Sequence, residues 1–308
     1  MAARNRLLTG IAFKLSSVLV FLMMAALVKA AGELPVGELA FFRSFFAILP
    51  VVIFLAWRGE LLVGMTTKYP LGHFWRGLAG TGGMVFGFYA LTQLPFPEAI
   101  TLNYATPLII VALSAIFLGE VVRLYRWSAV IVGLIGVIII GWPRLSLLTT
   151  GVNAAETIGV LSALTACLCA AIAMVQVRRL VLTERSATIV FYFSVSSAVL
   201  SLATFPFGWV WPTPEVALML VGAGICGGIA QILLTESYRY AEMSVIAPFD
   251  YTSLIFSLII GFVVFGDVPT WYMLVGGVLV VGSGLFLIWR EHQLGKQRPE
   301  KEVATPQG

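Results

Sequence analysis

Lys14, Arg43, Asn103 and Asp250 stand inside segments otherwise built for hydrocarbon, and they are the residues on which chemistry could rest. A charge in a bilayer core costs several kcal/mol, so such a group is normally kept only against a partner or a wet cavity. Asp250 is the sharpest case, an acid near the start of the apolar run IAPFDYTSLIFSLIIGFVVFGD. Ser253, Ser257 and Gly261 follow it at three, seven and eleven positions, which is one helical face. Asn103 is followed on the same offsets by Thr106, Ile110 and Ser114. An acid so placed can pair with Lys14, bind a cationic group of a substrate, or take up a coupling proton. Arg43 can meet an anionic substrate group or a carboxylate such as Glu98; Glu38, five positions earlier, lies well around the helix from it.

The elements that must position these groups are set by composition. The chain has 308 residues, 59% of them hydrophobic and 11% charged, with mean hydropathy +0.97. That apolar content exceeds the usual globular share of about half, and runs of about 20 apolar residues recur, each enough to cross a bilayer. The expectation is an all-α polytopic membrane protein. A net charge of +4 implies no nucleic-acid partner here, because its distribution matters more than its size. Cys167, Cys169 and Cys226 make an odd set, with the first two on nearly opposite helix faces, so neither a metal site nor a disulfide framework follows. Val28-Lys29-Ala30 imitates a signal cleavage site, but the run before it is long for a leader.

Hydropathy between polar breaks predicts ten transmembrane helices, at 8–30, 36–57, 71–92, 97–118, 124–142, 156–180, 186–208, 214–240, 244–265 and 269–290, followed by a polar, disordered tail from Glu291. With the N-terminus inside, fifteen basic residues, Arg76 among them, fall at or near the cytoplasmic side against Lys29 and Arg144 outside. The positive-inside rule then puts both termini in the cytoplasm. With a rise of about 1.5 Å per residue, Arg43 shares the depth of Asn103 in the outer half, and Lys14 shares that of Asp250 in the inner half. Glu236, Arg76 and Gln231 belong to the inner half as well.

The chain also matches itself. At a separation of 147 residues Gly77 and Gly80 fall on Gly224 and Gly227, Asn103-Tyr104 on Asp250-Tyr251, and Gly119-Glu120 on Gly266-Asp267. Each half, 1–145 and 146–290 with 291–308 as a cytoplasmic tail, holds five helices, so the second copy inserts upside down as an inverted five-helix repeat. The motif Pro107-x11-Gly119-Glu120 and the stretch Ala247 to Leu254 leading to Phe265-Gly266-Asp267 resemble the drug/metabolite transporter superfamily, and more narrowly its bacterial EamA-type members. The resemblance covers essentially the whole chain and implies ten helices in two inverted repeats; Asp267 stands where Glu is commoner.

The function expected is secondary transport of a small polar or zwitterionic metabolite across the inner membrane by alternating access. An amino acid, an S-adenosylmethionine-like or a flavin-like compound would suit such a site. No Walker A sequence and no H-E-x-x-H or G-x-S-x-G motif is present, so neither ATP hydrolysis nor an enzyme activity is indicated, and no cofactor is called for. A channel or a membrane sensor is the alternative reading. Arg43, Asn103, Tyr104, Tyr89, Gln231, Asp250 and Tyr251 are the expected substrate-binding residues, with Asp250, Lys14 and Glu236 as coupling or charge-pair groups. The partners expected are the substrate, the lipid bilayer and protons, with the chain a monomer or homodimer. Glu120 and Asp267 are read as structural helix ends, and Pro107 and Pro248 as devices that free backbone carbonyls near the site.

Overall fold

A computed structural model describes residues 2–32, 34–106, 108–109, 124–142, 154–180, 183–240 and 247–296. Every regular element among them is helical; besides the short helix Leu61–Gly64 and the turns described below, these are α1 Ala2–Ala30, α2 Val36–Trp57, α3 Pro70–Gln93, α4 Phe96–Leu102, α5 Leu124–Gly141, α6 Ala154–Leu180, α7 Ser186–Leu202, α8 Pro214–Tyr240, α9 Thr252–Ile260 and α10 Trp271–Lys296. Leu8–Ala30, Val36–Trp57, Ala155–Val177 and Pro214–Ser237 are long and apolar enough to cross a membrane. Large apolar side chains such as Phe45, Leu49, Ile53, Ile135, Ile138, Ile259 and Phe262 point outward, as a lipid-facing surface requires.

The chain shuttles between two faces of helix ends. On one face Arg58 pairs with Glu236 at 3.2 Å and Arg185 with Glu60 at 3.2 Å, while Glu184 accepts hydrogen bonds from the Thr67 hydroxyl at 2.6 Å and the Lys68 amide at 3.0 Å. These contacts gather the end of α2, the approach to α3, the α6–α7 connection and the end of α8. On the other face Lys29 at the end of α1 donates to the Leu94 carbonyl at 2.5 Å and lies 3.9 Å from Asp267, whose Oδ2 accepts from the Phe96 amide at 2.7 Å. The α2 residue Glu38 joins this face by accepting from the Val210 amide at 3.1 Å. Between the faces α1 packs along α8, α3 along α6, α5 along α10, and α2 against both α7 and α8.

Several boundaries differ from expectation. The first helix begins at Ala2, six residues early, and α10 runs to Lys296, so Glu291 to Lys296 are helical where a disordered tail was expected. The seventh helix stops at Leu202, followed by a 3-10 turn Phe205–Phe207 that closes on Gly208 at φ +92°. The largest departures are in the two central helices. The segment expected as one helix over 97–118 is interrupted after Leu102, where the Asn103 and Tyr104 amides bond three residues back, to Ile100 and Thr101, and is helical again at Ala105, Thr106, Leu108 and Ile109. Its counterpart over 244–265 divides into a 3-10 turn Ala247–Tyr251, the α-helix α9 and a π-helical turn Gly261–Phe265. Gly266 ends that turn at φ +68°, a conformation open to glycine, and so delivers Asp267 to the Phe96 amide. Pro107, Gly119 and Glu120 lie outside the described residues.

Candidate functional site

The two interrupted segments meet at the centre of the bundle. Tyr104 and Ser253 share a hydrogen bond through their hydroxyls, and the Tyr104 and Tyr251 rings lie 5.1 Å apart. Ser253 also donates to the Asp250 carbonyl at 2.6 Å, so the Tyr104 hydroxyl is the donor between them. At the other break the Leu102 carbonyl accepts from the Cys167 thiol at 3.4 Å. Thus backbone groups released by the breaks are met by side chains.

Beside this junction opens a cavity of about 590 Å³. Arg43, Asn103, Tyr104, Gln231 and Asp250 line it, together with Arg76 and Phe193. Its remaining walls are mostly apolar, with Phe21, Met24, Met84, Phe88 and Met174. Asp250 is half exposed to it at 52%, and pairs at 2.7 Å with Lys14, whose side chain is buried at 3%. Lys14 therefore stands behind the acid and not beside the opening.

On the opposite wall Arg43 is buried, and its Nε and Nη1 atoms have no hydrogen-bond partner. Arg76 is in the same condition at the same two atoms. Both guanidinium groups lie over the Phe193 ring, Arg43 at 5.7 Å and Arg76 at 4.0 Å from its centre. Glycines make the room for them. A Cβ on Gly80 would collide with Arg76 Nη1 and Phe193, and one on Gly227 would meet Arg43 Nε at 2.9 Å. Arg43 is not paired with Glu98, which instead accepts from the Thr270 hydroxyl at 3.4 Å.

Three expected residues stand elsewhere. Glu236 pairs with Arg58 beside a separate cavity of about 320 Å³ at the end of α8. Tyr251 packs behind Tyr104, with its hydroxyl against Gly284, and neither it nor Tyr89 is among the residues lining the central cavity. Conversely, Arg76 and Phe193 line the cavity although neither was among the expected substrate-binding residues. Arg76 was counted as a basic residue near the membrane surface; the signal that it turns inward is Gly80, one turn along the same face. No group of His, Cys, Asp or Glu able to hold a metal occurs among the described residues.

A multi-helix membrane bundle whose interrupted central segments border a mostly apolar cavity carrying a few charged groups is consistent with a transporter architecture. The chain belongs to the EamA-like transporter family, whose model matches it twice, at residues 8–142 and 157–290. Among curated relatives, an S-adenosylmethionine uptake transporter of Rickettsia felis is 28% identical over 86% of this chain and 87% of the relative. A riboflavin transporter of Rhizobium johnstonii is 31% identical over 92% of this chain and 89% of its own. A pseudopaline exporter, CntI, of Pseudomonas aeruginosa is 30% identical over 89% and 93%. One solved crystal structure superposes with a TM-score of 0.66 over 92% of this chain and 98% of that one at 22% identity, a likeness of fold. The protein is a multi-pass membrane transporter of small metabolites.

Proposed function

We propose that the chain is a secondary carrier of the inner membrane that moves a small polar or zwitterionic metabolite by alternating access, with residues 1–145 and 146–290 as inverted repeats. The observation that carries this reading is the central cavity bordered by both interrupted helices, with Asn103 at one break and Asp250 at the other. Contacts support the repeats independently of the helix count. Shifting α2 by 150 positions lays Phe41 on Phe191, Ser44 on Ser194 and Arg43 on Phe193. Gly80 then touches Phe193 as Gly227 touches Arg43, and Gly77 touches Ser196 as Gly224 touches Phe46. At these two contacts the packing of α3 on α7 parallels that of α8 on α2, which supports the repeat reading.

In this scheme Arg43, Asn103, Tyr104, Gln231 and Asp250 hold the substrate, and Asp250 with Lys14 forms the coupling pair. The lining of Phe21, Phe88 and several methionines would accept the body of an S-adenosylmethionine-like or flavin-like compound. Purified protein in liposomes tests the reading. With unlabelled S-adenosylmethionine, riboflavin or amino acids inside, one labelled counterpart outside should accumulate transiently, the trans-stimulated exchange of an alternating carrier. Passage without trans-stimulation would identify a channel. Asp250→Asn should lose accumulation driven by a pH gradient, because the amide resembles the protonated acid; exchange that survives would assign Asp250 to coupling, loss of exchange as well would make it a substrate contact or the structural partner of Lys14, and full gradient-driven uptake would remove it from the coupling.

A further inference from the structure

Arg43 and Arg76 come from different helices, α2 and α3, yet share one aromatic ring and one cavity. Neither forms an ion pair with a described carboxylate. The acids that could have served are engaged elsewhere: Asp250 with Lys14, Glu98 with Thr270, Glu38 with the Val210 amide, Glu236 with Arg58 and Asp267 with Lys29. Buried guanidinium nitrogens without acceptors are strongly unfavourable, so their acceptors must come from what enters the cavity that both line, water or a bound anion. The Phe193 face attracts both cations but accepts none of their N–H bonds in the ring plane. Gly80 and Gly227 hold the space open, since any side chain there would push the guanidinium groups aside.

We propose that Arg43 and Arg76 form one clasp for a carboxylate of the transported metabolite, so that this carrier selects organic acids or zwitterions with an apolar or aromatic body. The proposal rests on the carrier reading above and names its substrate class. A carboxylate has two oxygens in a plane, which matches the N–H edges of guanidinium groups better than any neutral group. The clasp places that carboxylate on the Phe193 wall, and Phe21, Met24, Met84 and Met174 enclose the rest of the molecule. A cationic or hydroxylated end then reaches the half-exposed Asp250. A neutral solute would leave the two arginines unsatisfied, and a simple organic cation would be repelled by them.

The test uses the purified full chain and a matched pair of probes, 3-phenylpropionate and 3-phenylpropanamide, with inorganic phosphate as a third arm at constant ionic strength. Binding to the folded state raises the thermal unfolding midpoint by mass action. The acid should raise it saturably and the amide should not. Arg43→Gln and Arg76→Gln should each raise the half-saturating concentration by about tenfold or more, the scale of a lost charge-assisted hydrogen bond. Without probe, both variants should unfold at or above the wild-type midpoint, because each loses a charge whose Nε and Nη1 atoms are buried without a partner. The clasp is overturned if the acid and amide act alike, if no shift occurs, or if the acid's shift survives in either variant. It is also overturned if phosphate alone binds, or if the probe-free variants unfold several degrees lower, which would make the arginines structural. Counterflow by the wild type separates the two levels: its failure for every solute removes the carrier reading and leaves the anion site to the melting data. Intact counterflow with no carboxylate effect removes the clasp alone.

Discussion

The central residues differ in how their charges are met. Lys14 and Asp250 neutralise each other at 2.7 Å, with the lysine buried and the acid open to the cavity. Removing Asp250 would leave a buried ammonium without its counter-charge, whereas removing both charges would leave nothing to compensate. Asp250→Asn should therefore lower stability by about 1–3 kcal/mol, toward the lower end because half of the acid is already hydrated, and Lys14→Met combined with it should restore most of that loss. Thermal melts of the two single variants and the double variant in one detergent would show it. A double variant destabilised by the sum of the two single losses would mean that the pair contributes no coupling. At this scale the sequence was partly legible: the depth argument joined Lys14 to Asp250 and put Arg43 in the cavity. It placed Arg76 in the inner half but not among the binding residues, and it missed Phe193, because a basic residue six positions into a helix reads as a surface charge unless the space left by Gly80 is weighed.

At the scale of elements, helix count and order were written in hydropathy, while the interruptions in the fourth and ninth segments were not. An apolar run carries the same average whether its backbone bonds run four, three or five residues back. The local signs were there in hindsight: Asn103-Tyr104 and Asp250-Tyr251 occur at matched positions, and each break sits where a side chain from another helix supplies a partner. Loops were the least legible, because their bonds cross long separations. Glu184, between α6 and α7, is one such case, holding the approach to α3 through Thr67 and Lys68. Burial pushes its carboxyl upward, but hydrogen bonds from Thr67 and Lys68 and the nearby His73 outweigh that and hold it below the usual carboxylate range. A carboxyl so depressed contributes stability above the ordinary range and loses it as pH falls through the lowered value. Glu184→Gln should accordingly cost about 1–2 kcal/mol at neutral pH, and its melting temperature should converge on the wild type in acid. A gap that stays constant from neutral to acid pH would show that the charge of Glu184 is not what holds the loop.

For the whole molecule, the two faces of helix ends carry unequal positive charge. One face gathers Arg58, Lys68, Arg179 and Arg185, while Lys29 is the basic residue at the other face that the described contacts identify. Two residues of the sequence count do not behave as loop charges: Arg76 turns into the cavity, and Lys29 is held by the Leu94 carbonyl and Asp267. Setting both aside leaves fourteen basic residues against one, so the asymmetry grows. Orientation follows Lys and Arg near the ends of the spans and is little affected by acids, so the pairing of Arg58 with Glu236 and of Arg185 with Glu60 does not weaken the bias. With the ten crossings expected from the sequence, an even number, we propose that both termini lie on the same side, the cytoplasm. Alkaline phosphatase fused after Lys301 should be inactive, and fused in the connection near Gly208 it should be active, since α10 ends at Lys296 on the face opposite Gly208. Activity at Lys301 with silence at Gly208 would invert the molecule, placing Lys14 and Asp250 in the outer half and Arg43 in the inner.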